Sequence, residues 1–411
     1  MKDKKTAATR QGGSKALQID AFRDIHHQVM TTERTNIGKN ETFDVVIIGA
    51  GAAGIGCGMV LRDLGIKRFT ILEKHEIGAS FRRWPAETKL LTPSFTINGF
   101  GMPDLNSIAL RTSPAYTLHK EHPSGKEYAQ YLQAITEHFQ LPVREGINVE
   151  AIIPENGRQS SFILKTSEGD IRSRFVIWAA GEFQYPNKTP FAGAELCRHY
   201  ATVSTWDDFE GEEAVVIGGY ESGVDTAIHL ANRGKEVYVL DPDRPWKTTE
   251  ADPSLALSPF TFDRLRAANQ EGLITFVPLA ATKIEHTDDV YRVHLSNGKS
   301  YPTAHPPILA TGFNGRIPQI TDLFAWNDDG FPIVTEESDE STITPGLFLS
   351  GPMLRHRNVI FCFIYKFRQR FAIIGHKIAQ ELELDTAVLE KYRSGQMYLD
   401  DLSCCDVNCA C

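Results

Sequence analysis

From Phe43 onward, short runs of Val and Ile alternate with stretches in which apolar residues recur at helical spacing. Phe43–Ile48 reads as a strand, Gly51–Leu64 as a helix and Arg68–Leu72 as a second strand. Apolar strands separated by helices suit a parallel sheet covered on both faces, because each crossover must bring the chain back over the sheet before the next strand can pair. The same grammar returns at Ala214–Ile217, Ser222–Arg233 and Glu236–Leu240. The expected fold class is therefore α/β, with two Rossmann-like dinucleotide-binding domains. Two further apolar strands ending in glycine, Phe175–Gly181 and Pro307–Gly312, read as crossovers between them. On this reading residues 43–184 and 306–385 form the first domain, and 185–305 form a second domain inserted into it. Residues 1–42, with an amphipathic segment at Ala16–Met30, read as a polar extension, and 386–411 as a C-terminal tail.

The first strand-to-helix turn contains Gly49, Gly51, Ala53 and Gly54. Gly49 suits the tight turn, Gly51 lets a diphosphate approach the backbone, and Gly54 lets helix and strand pack closely, with the helix N-terminus facing negative charge. Glu73 ends the next strand 19 residues after Gly54, where a carboxylate can bind ribose hydroxyls. The second turn, Gly218-Gly219-Tyr220-Glu221-Ser222-Gly223, is less regular. Tyr220 stands where the close-approach glycine belongs, so either the diphosphate is pushed outward or the ring lies away from it. Asp241 ends the following strand and favours a free ribose hydroxyl, hence NADH, whereas Arg244 and Lys247 lie near enough in sequence to meet a 2′-phosphate. Both nucleotides stay open.

Composition narrows the partners. The 411 residues carry 43 Lys and Arg against 52 Asp and Glu, a formal charge of −9. That balance argues against a nucleic acid or an anionic membrane surface as the main partner. No apolar run approaches the roughly 20 residues of a membrane span, and the first 30 residues lack the apolar stretch of a secretory signal. A cytoplasmic protein is expected; the assembly stays open, a homodimer among the options. Of seven cysteines, four lie in the last eight positions: Cys404, Cys405, Cys409 and Cys411. Three readings are open there: a redox arm acting on a thiol partner, a site for a soft ion such as Cu(I) or Zn²⁺, or an end with no defined task. Cys57, Cys197 and Cys362 are expected to pack singly, Cys362 within a final helix, and no metal site is assigned in the body of the chain. His119 and His122 read as solvated. Arg355, Arg357, Lys366, Arg368 and Arg370 read as solvated or turned toward a cofactor's negative charge.

Together with Ile77–Pro85, Leu91–Pro93, Gly101–Pro103 and Pro123–Leu132, these motifs resemble the two-dinucleotide-binding-domain flavoproteins. Within them the chain is similar to the single-component flavin-dependent monooxygenase-like group, over most of Phe43–Leu384. The resemblance implies that Gly49, Gly51, Ala53, Gly54 and Glu73 hold FAD and that Ser80, Arg82 and Trp84 lie near the flavin. It gives Gly218, Gly219, Ser222, Gly223 and Asp241 to NADPH or NADH, with Gly181, Thr311, Gly312 and Gly351 completing the cofactor set. Departures accompany it. The hydroxylating fingerprint is eroded at Phe191-Ala-Gly193, with Cys197 in the histidine's place and His199 two positions late. Bacillithiol-type disulfide reductases look similar in the pair His199-Tyr200, in a bulky residue such as Tyr220 and in the run Leu347–Pro352, but place a cysteine where Ala53 stands. The expected activity is FAD-dependent NAD(P)H oxidation with O₂ acting on a small substrate. The alternatives are a disulfide or metal-ion reductase using Cys404, Cys405, Cys409 and Cys411, and a flavin-binding sensor or metal-handling protein without turnover.

Overall fold

Strand β1 (Thr42–Ile48) pairs in parallel with β2 (Phe69–Leu72), Val45 lying opposite Phe69 and Ile48 opposite Leu72. The computed structural model describes residues 41–96, 101–155, 161–250, 252–315 and 317–403. The segment Ala16–Met30 and the cluster Cys404, Cys405, Cys409 and Cys411 lie outside the described residues. Between β1 and β2 the chain returns through α1 (Ala52–Asp63), buried continuously from Ala52 to Leu61. Its glycines permit that depth: a Cβ at Gly54 would overlap the carbonyl of Gly49, and one at Gly56 the ring of Phe371.

After β2 come α2 (Ala79–Arg82), α3 (Pro114–Leu118) and α4 (Gly125–His138). Helix α4 opens with a capping box in which Ser124 and Glu127 satisfy each other's backbone amides. The first sheet then takes β3 (Val143–Arg144), β4 (Val149–Pro154), β5 (Phe162–Thr166) and β6 (Gly169–Trp178), in the order β3-β2-β1-β6-β5-β4. β6 has two halves. Gly169–Ser173 pairs antiparallel with β5, and its apolar end, Phe175–Trp178, lies parallel to β1.

The second sheet is built from β7 (Arg198–His199), β8 (Glu213–Ile217), β9 (Glu236–Leu240) and β10 (Ile274–Val277), with α5 (Glu221–Ala231) and α6 (Pro259–Ala268) over it. A three-stranded antiparallel sheet, β11 (Ala281–Thr287), β12 (Val290–Leu295) and β13 (Ser300–Thr303), precedes β14 (Ile308–Leu309). β14 pairs in parallel with β8 and β7, so the strand expected to carry the chain back lies within the second sheet, in the order β10-β9-β8-β14-β7. A hairpin of β15 (Ala325–Trp326) and β16 (Pro332–Ile333) follows. Then β17 (Leu347–Leu349) settles parallel to the end of β6, and the short helix α7 (Ile364–Phe367) and α8 (Phe371–Glu381) follow; the first sheet with α1, α7 and α8 forms the first unit, and the second sheet with α5 and α6 the second.

Several expectations change here. Cys362 precedes α7 rather than lying in a helix. Arg368 and Arg370 are buried, not solvated; both guanidinium groups find acceptors in the protein, although the Nε of Arg368 is left without one. Arg368 donates to the carbonyls of Asp104 and Ser107, the latter at 2.8 Å. Arg370 donates to Asp339 at 2.7 Å and to the carbonyls of Glu336 and Leu399 at 2.5 Å each. Arg355 donates to the carbonyls of Pro352 at 2.5 Å and Leu354 at 2.8 Å. His122 is half-buried, stacked on Phe260 at 3.7 Å with Nδ1 2.8 Å from the carbonyl of Leu90, while His119 is exposed.

Candidate active site

The two glycine-rich turns have nearly the same backbone. Gly49 and Gly218 adopt φ of +102° and +106°, values that favour glycine. Gly54 and Gly223 each pass so close to the first glycine of their own turn that a Cβ would overlap its carbonyl. The helix N-caps match as well: Gly51 has φ −84° and ψ −168°, and Tyr220 has φ −87° and ψ −165°. Each turn is also pinned by the carboxylate ending the following strand. Glu73 accepts the amide of Ala50 at 2.8 Å and that of His75 at 2.9 Å. Asp241 accepts that of Gly219 at 2.7 Å and that of Asp243 at 2.9 Å.

Beside the first turn lies a cavity of about 400 Å³. Of the residues singled out from the sequence, Gly49, Gly51, Ala53, Glu73, Ser80, Trp84, Gly181 and Ser222 line it. Gly54 serves the packing of α1. Arg82 turns to Glu76 at 3.3 Å, and it is Arg83 that faces the cavity. Gly351 sits behind Ala53, where a Cβ would come within 3.3 Å of the alanine methyl. Thr311 donates to the carbonyl of Asn187 at 2.8 Å and Gly312 accepts the amide of Asn187 at 3.0 Å, so both brace the link to the second sheet. Gly218, Gly219, Gly223 and Asp241 belong to the second turn and do not line this cavity.

The first turn fits an anionic dinucleotide such as FAD. A Cβ at Gly51 would meet no protein atom within 4 Å, so the backbone there is open to a close ligand. Trp178 and Gln319 are among the lining residues, and each has a buried polar atom without a hydrogen-bond partner, the indole Nε1 as donor and the amide oxygen as acceptor. Burial raises the Glu73 carboxyl above its ordinary value despite the opposing amides of Ala50 and His75. The second turn does not fit in the same way. Tyr220 stands at the position equivalent to Gly51, and Gly219 is covered by the ring of Trp246.

Sequence reasoning missed the rest of the wall. Phe183, Tyr185, Phe313, Phe363 and Phe367 join Trp84 to give it an aromatic character. Glu182 lines it too, with a carboxyl that burial raises against the pull of Arg355. Thr88, Tyr200 and Asp225 form a polar corner: Thr88 lies 2.7 Å from the Tyr200 hydroxyl and donates to Asp225 at 2.9 Å. Cys362 is the cavity's thiol among the described residues; it donates to Ser254 at 3.2 Å, and burial raises its pKa. Cys57, pushed up to about 12 by burial, donates to Ser350 at 3.3 Å. Cys197, likewise pushed up to about 12 by burial, is partly buried and free.

Two pinned glycine turns, each between parallel strands of its own sheet, are the framework of a protein with two dinucleotide-binding folds. The model of the pyridine nucleotide-disulphide oxidoreductase family matches residues 46–351, and the chain belongs to that family, with FAD and NAD(P)H as cofactors. It is similar to the uncharacterized oxidoreductase CzcO of Bacillus velezensis, with 26% identity over 215 residues, 49% of this chain and 56% of that one. The match thus spans little more than half of that relative. Among solved structures it is similar to the bacillithiol disulfide reductase Bdr of Staphylococcus aureus, with TM-score 0.68 and 20% identity, covering 83% of this chain and 99% of the other. It is also similar to a flavin-containing monooxygenase of Stenotrophomonas maltophilia, with TM-score 0.61 and 18% identity, covering 83% and 99%. Among the described residues no helix is long and apolar enough to cross a membrane.

Proposed function

We propose that this chain is an FAD-dependent NAD(P)H oxidoreductase that uses O₂ to oxygenate a small molecule held in the aromatic part of the cavity. In this reading the first sheet with α1 carries FAD and the second sheet with α5 carries the pyridine nucleotide. The observation that carries the reading is that a single cavity is lined both by Gly51, at the first turn, and by Ser222, in the first turn of α5. Two cofactors that exchange a hydride must meet ring to ring, and one continuous space between the two helix starts allows it. The bound pair would supply a hydride from the nicotinamide and, through the flavin, electrons for the acceptor. The protein contributes the surroundings. Trp84, Phe183, Tyr185, Phe313, Phe363 and Phe367 keep water from that space. Glu182, with its raised carboxyl, can hold a proton at the wall further up the pH scale than a solvated glutamate.

A second reading, reduction of a small disulfide, is favoured by Cys362 on the same wall. It ranks lower because burial keeps that thiol protonated, and the thiolate is the form that attacks a disulfide. Anaerobic reduction of the FAD-loaded protein by NADH or NADPH, followed by air with candidate sulfides, amines and ketones, separates the readings. Label from ¹⁸O₂ appearing in product in step with NAD(P)H consumed supports oxygenation. Thiol release from added disulfides without oxygen uptake overturns it.

A further inference from the structure

We propose that the second glycine-rich turn is gated, with Tyr220 as the latch and Asp252–Ala256 as a strap that closes the diphosphate approach until a pyridine nucleotide displaces it. The inference rests on the reading above, in which that turn receives NAD(P)H.

Gly51 and Tyr220 occupy equivalent positions in the two turns. Their backbone angles agree within a few degrees, and at Gly51 the direction a side chain would take is empty of protein. At the second turn that direction is taken by a phenol. Its hydroxyl reaches the carbonyl of Ala256 at 3.0 Å and that of Pro253 at 3.3 Å, so the ring bridges from the helix start to the strap. The helix's positive end is also met by an anion of the chain's own. Glu221, in the first turn of α5, accepts the Ser258 amide at 2.5 Å and the Thr261 hydroxyl at 2.6 Å. A carboxylate there uses the same field that would draw a diphosphate.

The far end of the strap is tied to the first unit. Asp252 accepts from the ammonium of Lys366 at 2.5 Å, and Ser254 accepts from Lys366 at 2.8 Å and from the Cys362 thiol at 3.2 Å. The middle of the strap belongs to no core: Leu255 is 47% exposed. Leu257 is buried in the second core, which sets the hinge just beyond Ala256. The strap is therefore held mainly by polar bonds, and of its residues only Ala256 is buried, so its departure unpacks one small side chain. Lys366 makes the opening selective. It is only 7% exposed, and losing Asp252 would strand a buried charge unless another anion arrives. A diphosphate is such an anion, so strap and nucleotide exchange rather than coexist.

Hydrogen–deuterium exchange of the FAD-loaded full chain, with and without saturating NAD⁺ or NADP⁺, reads the strap directly. Stopped-flow association of the same two nucleotides is compared among wild type, Tyr220→Phe and Asp252→Asn; the first variant keeps the ring and loses only the latch bond. Faster exchange at 252–256 in the complexes, and association several-fold to about tenfold faster in both variants, is the expected result. Binding with strap exchange unchanged and with both variants associating at the wild-type rate overturns the gate alone. Absence of nucleotide binding in all three proteins, with FAD retained, overturns the gate together with the reading it rests on.

Discussion

The hydroxyl of Thr88 donates to the carboxylate of Asp225 at 2.9 Å, joining the segment after α2 to the buried face of α5. The other carboxylate oxygen accepts from Arg264 at 2.7 Å and lies 3.3 Å from His229 Nε2. Nearby, Glu87 accepts from Thr205 at 2.7 Å and from Arg233 at 2.8 Å, and the amide of Ala86 donates to the carbonyl of Ser204 at 2.9 Å. Segment 86–88 is thus bolted to the second unit. The cavity's corner at Thr88 and Asp225 is therefore fixed.

Gly51→Val is expected to leave the fold intact and the protein colourless. The added side chain meets no protein atom within 4 Å of its Cβ, so it fills only the space assigned to the flavin's diphosphate. Flavin absorbance after purification and after incubation with excess FAD checks it, alongside circular dichroism. Gly54→Ala should fail for the opposite reason, unfolding more readily because its Cβ overlaps the Gly49 carbonyl.

Asp241→Asn should lower any preference for NADH over NADPH by about tenfold, since it removes the negative charge that would repel a 2′-phosphate at the end of β9. One amide acceptor survives in Asn, so the Gly219 bond can persist and the turn keep its shape. The ratio of kcat/KM for the two nucleotides is the measurement. An unmoved ratio would mean that the adenosine ribose does not reach Asp241.

Cys57 and Cys197 should react with maleimide at pH 8 roughly a thousandfold more slowly than an unperturbed cysteine, because pKa values of about 12 leave almost no thiolate. Peptide-resolved mass spectrometry distinguishes them from the remaining thiols. Cys362, on the cavity wall, should label more slowly with FAD and nucleotide bound than without them. Rapid labelling of Cys57 in the folded protein would contradict its burial.

What could be read from the sequence was what is local in it. Gly49, Gly51, Gly54 and Glu73 fall within a single strand-helix-strand unit, so spacing alone brings them together, and the second turn repeats that spacing. Motif spacing points to Arg82 where Arg83 faces the cavity, because one residue along a helix changes the direction by ~100°. Arg368 and Arg370 had no local signature of burial. Their partners, Ser107 and Asp339, lie 261 and 31 residues away, and it is the fold that supplies those acceptors. The strap was illegible for the same reason: Asp252 and Lys366 are 114 residues apart, and Tyr220 could be noted as anomalous but not aimed.

The Thr88–Asp225 corner gives the clearest test of stability. Desolvation raises the Asp225 carboxyl, but His229 and Arg264 together outweigh it and hold the group below its ordinary value. Asp225→Asn leaves the Arg264 guanidinium without its charged partner and should cost about 3–5 kcal/mol. Because the folded carboxyl titrates below the unfolded one, the stabilisation is fully present above the unfolded value of roughly 3.9 and is lost as pH falls through the lower, folded value. Urea denaturation of wild type and Asp225→Asn should therefore show a gap that is present at pH 5 and narrows as the pH falls below about 4. Thr88→Val removes a neutral donor to the same carboxylate and should cost less, about 1–2 kcal/mol. A gap that stays constant from pH 5 to pH 3, or an Asp225→Asn protein as stable as wild type, would show that the carboxylate at this corner does not hold the two units together by its charge.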